Sequence, residues 1–380
     1  MRRPVREVAL VVAAIALGGV ALGFLAGCGG SGSTPHSSST AQPQAVLQDR
    51  AVAAAQHFLN RYATSDGRVS RLDQGGDTVG EGQAYGMLLA AAIGDAKRFD
   101  AIWGWTKNNL RRPDGLISFL WAHGHVQDPQ AASDADLDAS RALLVAGCRF
   151  RRPALRQEAL ALGTSILQVE VGSASFQGAP VLTAGPWAIS PPPVTVNPSY
   201  FSPASYAALH AASGDSQWAG LAASSRSITS KLMPATGRLP PDWARLEGDK
   251  PVPIGSPSAA QSPARFGFDA VRTLVRMAED PNPAGRLIAA RAWPVFEGQD
   301  PTRLPVEHDL FGRPIGHTLH PVVLVAAAGA ADAAGQTAAR DGLLDEAEAL
   351  DQHTPTYYGA AWVALGRILL TTKLLDPTCT

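Results

Sequence analysis

The chain has 380 residues, with 32 Lys and Arg against 33 Asp and Glu and a formal net charge of −1. That balance lacks the cationic surplus that phosphate binding requires, so no nucleic acid partner is expected. Apolar residues make up 46% and charged residues 17%, a composition that argues against disorder over most of the chain. The three cysteines, Cys28, Cys148 and Cys379, are too few and too scattered for a disulfide framework or a cysteine-based zinc site, so stability has to come from a buried core.

In chain order, Arg2, Arg3 and Arg6 precede an apolar stretch from Val8 to Ala26 without a charged residue, the layout of a signal peptide. An uncleaved membrane anchor is the alternative, since the stretch is nearly long enough to span a bilayer. The stretch ends in Leu25-Ala26-Gly27-Cys28, which resembles the lipobox of bacterial lipoproteins and implies lipidation at Cys28. Residues 29–45 are dominated by Gly, Ser, Thr and Pro and read as a flexible tether. The expected organisation is a signal segment over 1–27, a linker over 28–45 and one folded domain over 46–376. The expected location is beyond the bacterial cytoplasmic membrane, tethered as a lipoprotein on the cell surface or periplasmic side.

From Val46 onward the pattern is helical. Val52, Ala55, Leu59 and Tyr62 form one stripe of an amphipathic helix. Helical segments are predicted near 47–64, 80–94, 97–110, 134–150, 153–170, 200–213, 215–232, 268–279, 283–296, 318–330, 334–350 and 357–374, separated by Pro- and Gly-rich loops suited to a binding face. A dozen such helices fit a helical toroid, with an α-solenoid as the competitor.

Three acidic segments stand out. Thr78 and Glu81 have capping-box spacing, but the same helix start carries Gly82 and Gly86, each costing about 1 kcal/mol relative to Ala. Those glycines point to close approach of a neighbour or ligand, with Glu81 and Tyr85 sharing a face at i, i+4. Asp134, Asp136 and Asp138 crowd the start of another apolar helix. Asp134 and Asp138 share a face, Asp136 points elsewhere, and Ser133 with Asp136 is a possible cap. Asp269 and Arg272 lie at i, i+3 among Phe266, Phe268, Val271 and Leu274, a setting where a buried carboxylate must be paired or neutralised.

Together with FDAIWGWTKNNL, VNPSYFSPASY, LPPDWA and the closing YYGAAWVAL, these segments resemble glycoside hydrolase family 8, the bacterial endoglucanase and chitosanase family. The resemblance runs from about Val46 to Leu375 and implies an all-α fold, the (α/α)6 barrel. It further implies Glu81 as general acid, Asp269 as general base and Asp134 as a third active carboxylate hydrogen-bonding the distorted sugar. Gly80 stands where these enzymes carry Ser, and Ala139-Ser140 where their signature has Ile or Met followed by Ala. The chemistry agrees, since glycosidic cleavage needs one protonated and one ionised carboxyl on opposite faces of the sugar.

Tyr85, Trp121, Asp136, Trp187, Tyr200 and Arg272 are expected to line the substrate site, Arg272 also orienting Asp269, while Trp103 and Trp105 are expected in the core. His308, His317 and His320 lack a supporting carboxylate pattern, so neither a metal nor a cofactor is expected. The expected activity is endo-acting, inverting hydrolysis of β-1,4-linked polysaccharide or oligosaccharide by a monomer, cellulose-like glucan first. Chitosan, xylan or mixed-linkage glucan as substrate, and a lipoprotein that only binds polysaccharide, are the alternatives.

Overall fold

The computed structural model describes residues 42–259 and 261–376. The expected signal segment, Cys28 and the tether through residue 41 lie outside the described residues, as does Cys379; Cys148 is disulfide-bonded. Among the described residues no helix is long and apolar enough to cross a membrane.

Among the described residues twelve helices build the body: α1 (Gln44–Tyr62), α2 (Gly80–Ile93), α3 (Ala96–Asn109), α4 (Ser133–Arg149), α5 (Pro153–Ser165), α6 (Pro203–Ser213), α7 (Gln217–Leu232), α8 (Ala270–Ala278), α9 (Pro283–Ala290), and, after the short turn α10 (Trp293–Phe296), α11 (Pro321–Ala333), α12 (Thr337–His353) and α13 (Tyr357–Thr371). Proline opens α5, α6, α9 and α11, where its fixed φ is helical and its missing N–H costs nothing. α2 and α6 stop at Gly94 and Gly214, both left-handed, the usual glycine terminator.

Helices pack as pairs: α2 on α3, α4 on α5, α6 on α7, α8 on α9, α11 on α12 and α1 on α13. The first of each of the five consecutive pairs, together with α13, forms an inner ring that closes when α13 meets α2. That closure distinguishes a barrel from a solenoid. Inner helices α2, α4, α8, α11 and α13 are buried almost all round while α6 is buried on one face, and α2 and α11 are correspondingly apolar with many Ala and Gly. Small side chains let the ring tighten: a Cβ on Gly329 of α11 would lie 3.2 Å from the backbone of Leu274 and Val275 in α8. The first turns of α2, α4 and α8 meet at Arg272, Tyr357 opening α13 lies against Gly82, and His320 capping α11 lies against Phe268, so these N-terminal ends share one pole.

The predicted helices are present with ends moved by a few residues, and α1 starts inside the segment read as tether. The segment 153–170 is helical throughout, but its last turn, Ile166–Val171, is a π-helix. The segment 283–296 divides into α9 and α10, because Pro294 supplies no N–H to continue a ladder. Loops at the shared pole carry antiparallel hairpins absent from the helical reading. β1 (Thr78–Val79), β2 (Leu120–Ala122) and β3 (His125–Asp128) form one sheet with Thr78 opposite Trp121, and β4 (Ser175–Phe176) pairs with β5 (Ala179–Pro180). β6 (Val194–Val196), β7 (Trp243–Glu247) and β8 (Lys250–Ile254) form the third.

Candidate active site

Strand β1 runs directly into α2 and delivers Glu81 in its first turn. The capping box suggested by its spacing is not formed. Thr78 Oγ1 donates to Val69 O at 2.9 Å, and Val79, the N-cap, makes no side-chain bond. Glu81 Oε2 instead accepts from Arg272 Nη1 at 2.9 Å. The glycines answer to neighbours: a Cβ at Gly82 would lie 2.5 Å from Tyr357 Oη, and one at Gly86 2.8 Å from Val69 Cγ2.

Helix α4 presents its acids to different partners. Asp134 Oδ2 accepts from Arg272 Nη1 at 2.7 Å, and Asp138, one turn further on, pairs with Arg276, one turn beyond Arg272 on α8. The i, i+4 face read from the sequence is thus one side of a two-rung ladder between α4 and α8. Ser133 and Asp136 do not form a cap, because Ser133 Oγ donates to Thr183 O at 2.6 Å. Asp136 is a correction to the expected substrate contacts. It is fully buried and its Oδ1 accepts from Ile117 N at 2.9 Å, so it braces the preceding loop and presents no surface to a sugar.

Asp269 is the N-cap residue of α8, yet its side chain makes no capping bond. Its Oδ1 accepts from Arg272 Nη2 at 2.7 Å. Arg272 therefore contacts all three carboxyls, through Nη1 to Glu81 and Asp134 and through Nη2 to Asp269. Nη1 also donates to Tyr85 Oη at 3.1 Å, and Trp362 Nε1 donates to the same oxygen. The guanidinium lies over the Tyr200 ring, 5.1 Å from its centroid, a favourable cation–π arrangement. Arg272 is 2% exposed; a charge so buried is tolerable only when it is paired and hydrogen-bonded. Tyr85, expected to contact substrate, is 1% exposed and supports Arg272 from beneath.

Burial pushes the Glu81 carboxyl up to about 7, opposed by Arg272 and reinforced by the charges of Asp134 and Asp269. Asp269 is also raised by burial, opposed by Arg272 and reinforced by the charge of Asp134. Asn197 Oδ1 is held by Ser199 N and Oγ, so the amide is fixed in place. Burial thus raises both carboxyls, Glu81 to about 7, while the shared Arg272 opposes the rise at each, a crowded pair of acids suited to acid–base chemistry.

Trp121 and Trp187 are partly exposed at the rim, and Trp187, Tyr200 and Trp243 form one aromatic cluster. Trp103 and Trp105 are buried in the core as expected. His320 caps α11 through Val322 N, and burial lowers its pKa to about 4. Among the described residues no group of three or more His, Cys, Asp or Glu is arranged to hold a metal ion. Sequence reasoning passed over Asn197 and Asp242, although both lie inside motifs it singled out. It also passed over the Arg276–Asp138 rung, for which i, i+4 spacing on both helices was the available signal.

A family model described as glycosyl hydrolases family 8 matches residues 38–286. The chain is 32% identical over 244 residues to a probable endoglucanase of Novacetimonas hansenii, covering 60% of this chain and 66% of that protein. An endoglucanase of Cellulomonas uda is 30% identical over 227 residues, 58% of this chain and 61% of that one; the match thus spans under two thirds of either relative. Among solved structures, an endo-β-1,4-glucanase from Acetobacter xylinum superposes with a TM-score of 0.70 at 29% identity, covering 84% of this chain and 97% of that one. An endoglucanase described as a family 8 glycosyl hydrolase from Klebsiella pneumoniae gives 0.68 at 25% identity, with 83% and 97% covered. The helical barrel described above is the (α/α)6 fold of these neighbours.

Proposed function

The chain belongs to glycosyl hydrolases family 8, and on that premise we propose that it is an endo-acting hydrolase of β-1,4-linked glucan that inverts configuration. The observation that carries the reading is the bridge through Arg272, which holds Glu81 and Asp269 on different guanidinium nitrogens. By the length of that bridge their nearest oxygens stand no more than about 8 Å apart, a limit that reaches into the separation of about 6.5–9.5 Å used by inverting pairs.

In the proposed reaction Glu81, kept protonated by its burial, donates to the leaving glycosidic oxygen as the bond to the anomeric carbon breaks. Asp269 takes a proton from the water that attacks the opposite face. Charge develops at the sugar ring in the transition state, and Asp134, held by Arg272 and by Ala135 N, is placed to hydrogen-bond it. Trp121, Trp187 and Tyr200 supply ring faces for stacking. The enzyme acts as a monomer, anchored through an acylated Cys28 beyond the cytoplasmic membrane.

Reducing-end release by the purified protein from carboxymethylcellulose, lichenan, chitosan and xylan tests this reading. The expected result is highest turnover on carboxymethylcellulose or lichenan, with a rapid fall in viscosity. Turnover confined to chitosan or xylan overturns the substrate assignment, and no release from any polymer overturns the enzyme.

A further inference from the structure

We propose that Asp242 is a positioning residue for Asp269, taking over the helix-capping role so that the Asp269 carboxylate is free for chemistry. An Asp at an N-cap ordinarily spends its side chain on the first backbone N–H groups of the helix. Asp269 occupies that place on α8, yet its carboxylate is turned to Arg272. The capping bonds come from outside the helix: Asp242 Oδ1 accepts from Gly267 N at 2.9 Å and from Ala270 N at 2.8 Å. One oxygen thus grips the backbone on both sides of Asp269. The grip is reciprocal, since Asp242 N donates to Arg265 O at 2.8 Å.

The fit is built for contact. A Cβ on Gly267 would lie 2.7 Å from Asp242 Oδ2, so a side chain there forces the carboxylate away. Arg265 Nε stands 3.8 Å from Asp242 Oδ2, and its Nη1 pairs with Glu307 at 2.8 Å. This ties the turn to the loop that precedes α11. Movement of the turn by about 1 Å would displace the base from the water it activates, a misplacement worth up to about 10²-fold in rate.

The inference rests on Asp269 being the general base, and the test separates the two. Steady-state kinetics on a soluble cello-oligosaccharide are measured for Asp242→Ala, Asp242→Asn and Asp269→Asn, with amide hydrogen exchange at Gly267 and Ala270. Asp242→Ala is expected to lower kcat by at least about 10-fold with KM within twofold, and to speed exchange at both amides. Asp242→Asn retains an acceptor oxygen and is expected to recover most of the lost kcat. If Asp242→Ala does not fold, Asp242→Ser, too short to reach both amides, is read the same way. Wild-type kcat in a folded Ala or Ser variant, beside an inactive Asp269→Asn, overturns this inference alone. An Asn variant as impaired as Ala overturns capping as the cause. An active Asp269→Asn overturns the base assignment itself.

Discussion

Arg272 Nη1 stands 2.9 Å from Glu81 Oε2, although the two residues are 191 positions apart in the chain. The contact joins the first turn of α2 to the first turn of α8 across the barrel axis, and it makes one buried cation the reference point for an acid brought by a different helix. Its removal is the most consequential single change available in the site.

Arg272→Ala should abolish detectable turnover and destabilise the fold by about 3–5 kcal/mol at neutral pH, because buried Asp134 and the partly buried Glu81 and Asp269 lose the cation they share. Both Glu81 and Asp269 are raised by burial, so acid neutralises them more readily than exposed carboxyls. The stability deficit should therefore narrow as pH falls toward 4. Chemical denaturation of wild type and variant at several pH values measures it; a deficit independent of pH would show that lost packing, rather than unpaired charge, is responsible.

Glu81→Gln should lower kcat by at least about 10²-fold with oligosaccharide binding retained, since Gln cannot donate the proton. Its stability carries a sign. The folded-state pKa is raised from 4.5 to about 7, so the proton is bound more tightly in the folded protein, and the associated stability is complete below pH 4.5 and lost as pH rises through 7. Gln mimics the neutral form. Glu81→Gln should match wild type at pH 4 and exceed it by about 1–3 kcal/mol at pH 8, while wild-type activity falls above pH 7. Equal stability at both pH values would remove the raised pKa from the account.

Asp269→Asn should reduce kcat by at least about 10²-fold. With the wild type, proton NMR during the first minutes of hydrolysis should reveal the α-anomer as the first-formed product from a β-linked chain. A β-anomer formed first would mean retention, with Asp269 as nucleophile or bystander.

Gly82→Ala should destabilise by about 1–3 kcal/mol, because its Cβ would meet Tyr357 Oη at 2.5 Å. The double variant with Tyr357→Phe should regain part of that loss, since the closest clash is with the hydroxyl. Gly104 in α3 has nothing within 4 Å of its would-be Cβ, so Gly104→Ala should stabilise by about 0.5–1 kcal/mol. Denaturation midpoints of the three variants check both signs.

Metabolic labelling with a palmitate analogue should tag the wild type and miss Cys28→Ala. Equal labelling of both proteins would dismiss the lipid anchor.

Periodicity and punctuation in the sequence determined the helices. Apolar spacing marked each segment, and proline or glycine marked many of its ends, because these act through local backbone energetics that need no distant partner. The Asp134–Asp138 face and the Asp269–Arg272 pair were legible for the same reason, being separated by about one helical turn. Tertiary structure alone decided what those residues do. Thr78 and Asp136 have local capping spacing, but Thr78 donates to Val69 O and Asp136 accepts from Ile117 N instead. Tyr85 has the face of a substrate contact but lies beneath the guanidinium it supports. Asp242, remote from α8 in sequence, caps it in place of the residue at the N-cap itself. These assignments depend on which helix ends converge at one pole of a closed ring, and ring closure is a long-range property that no local spacing encodes.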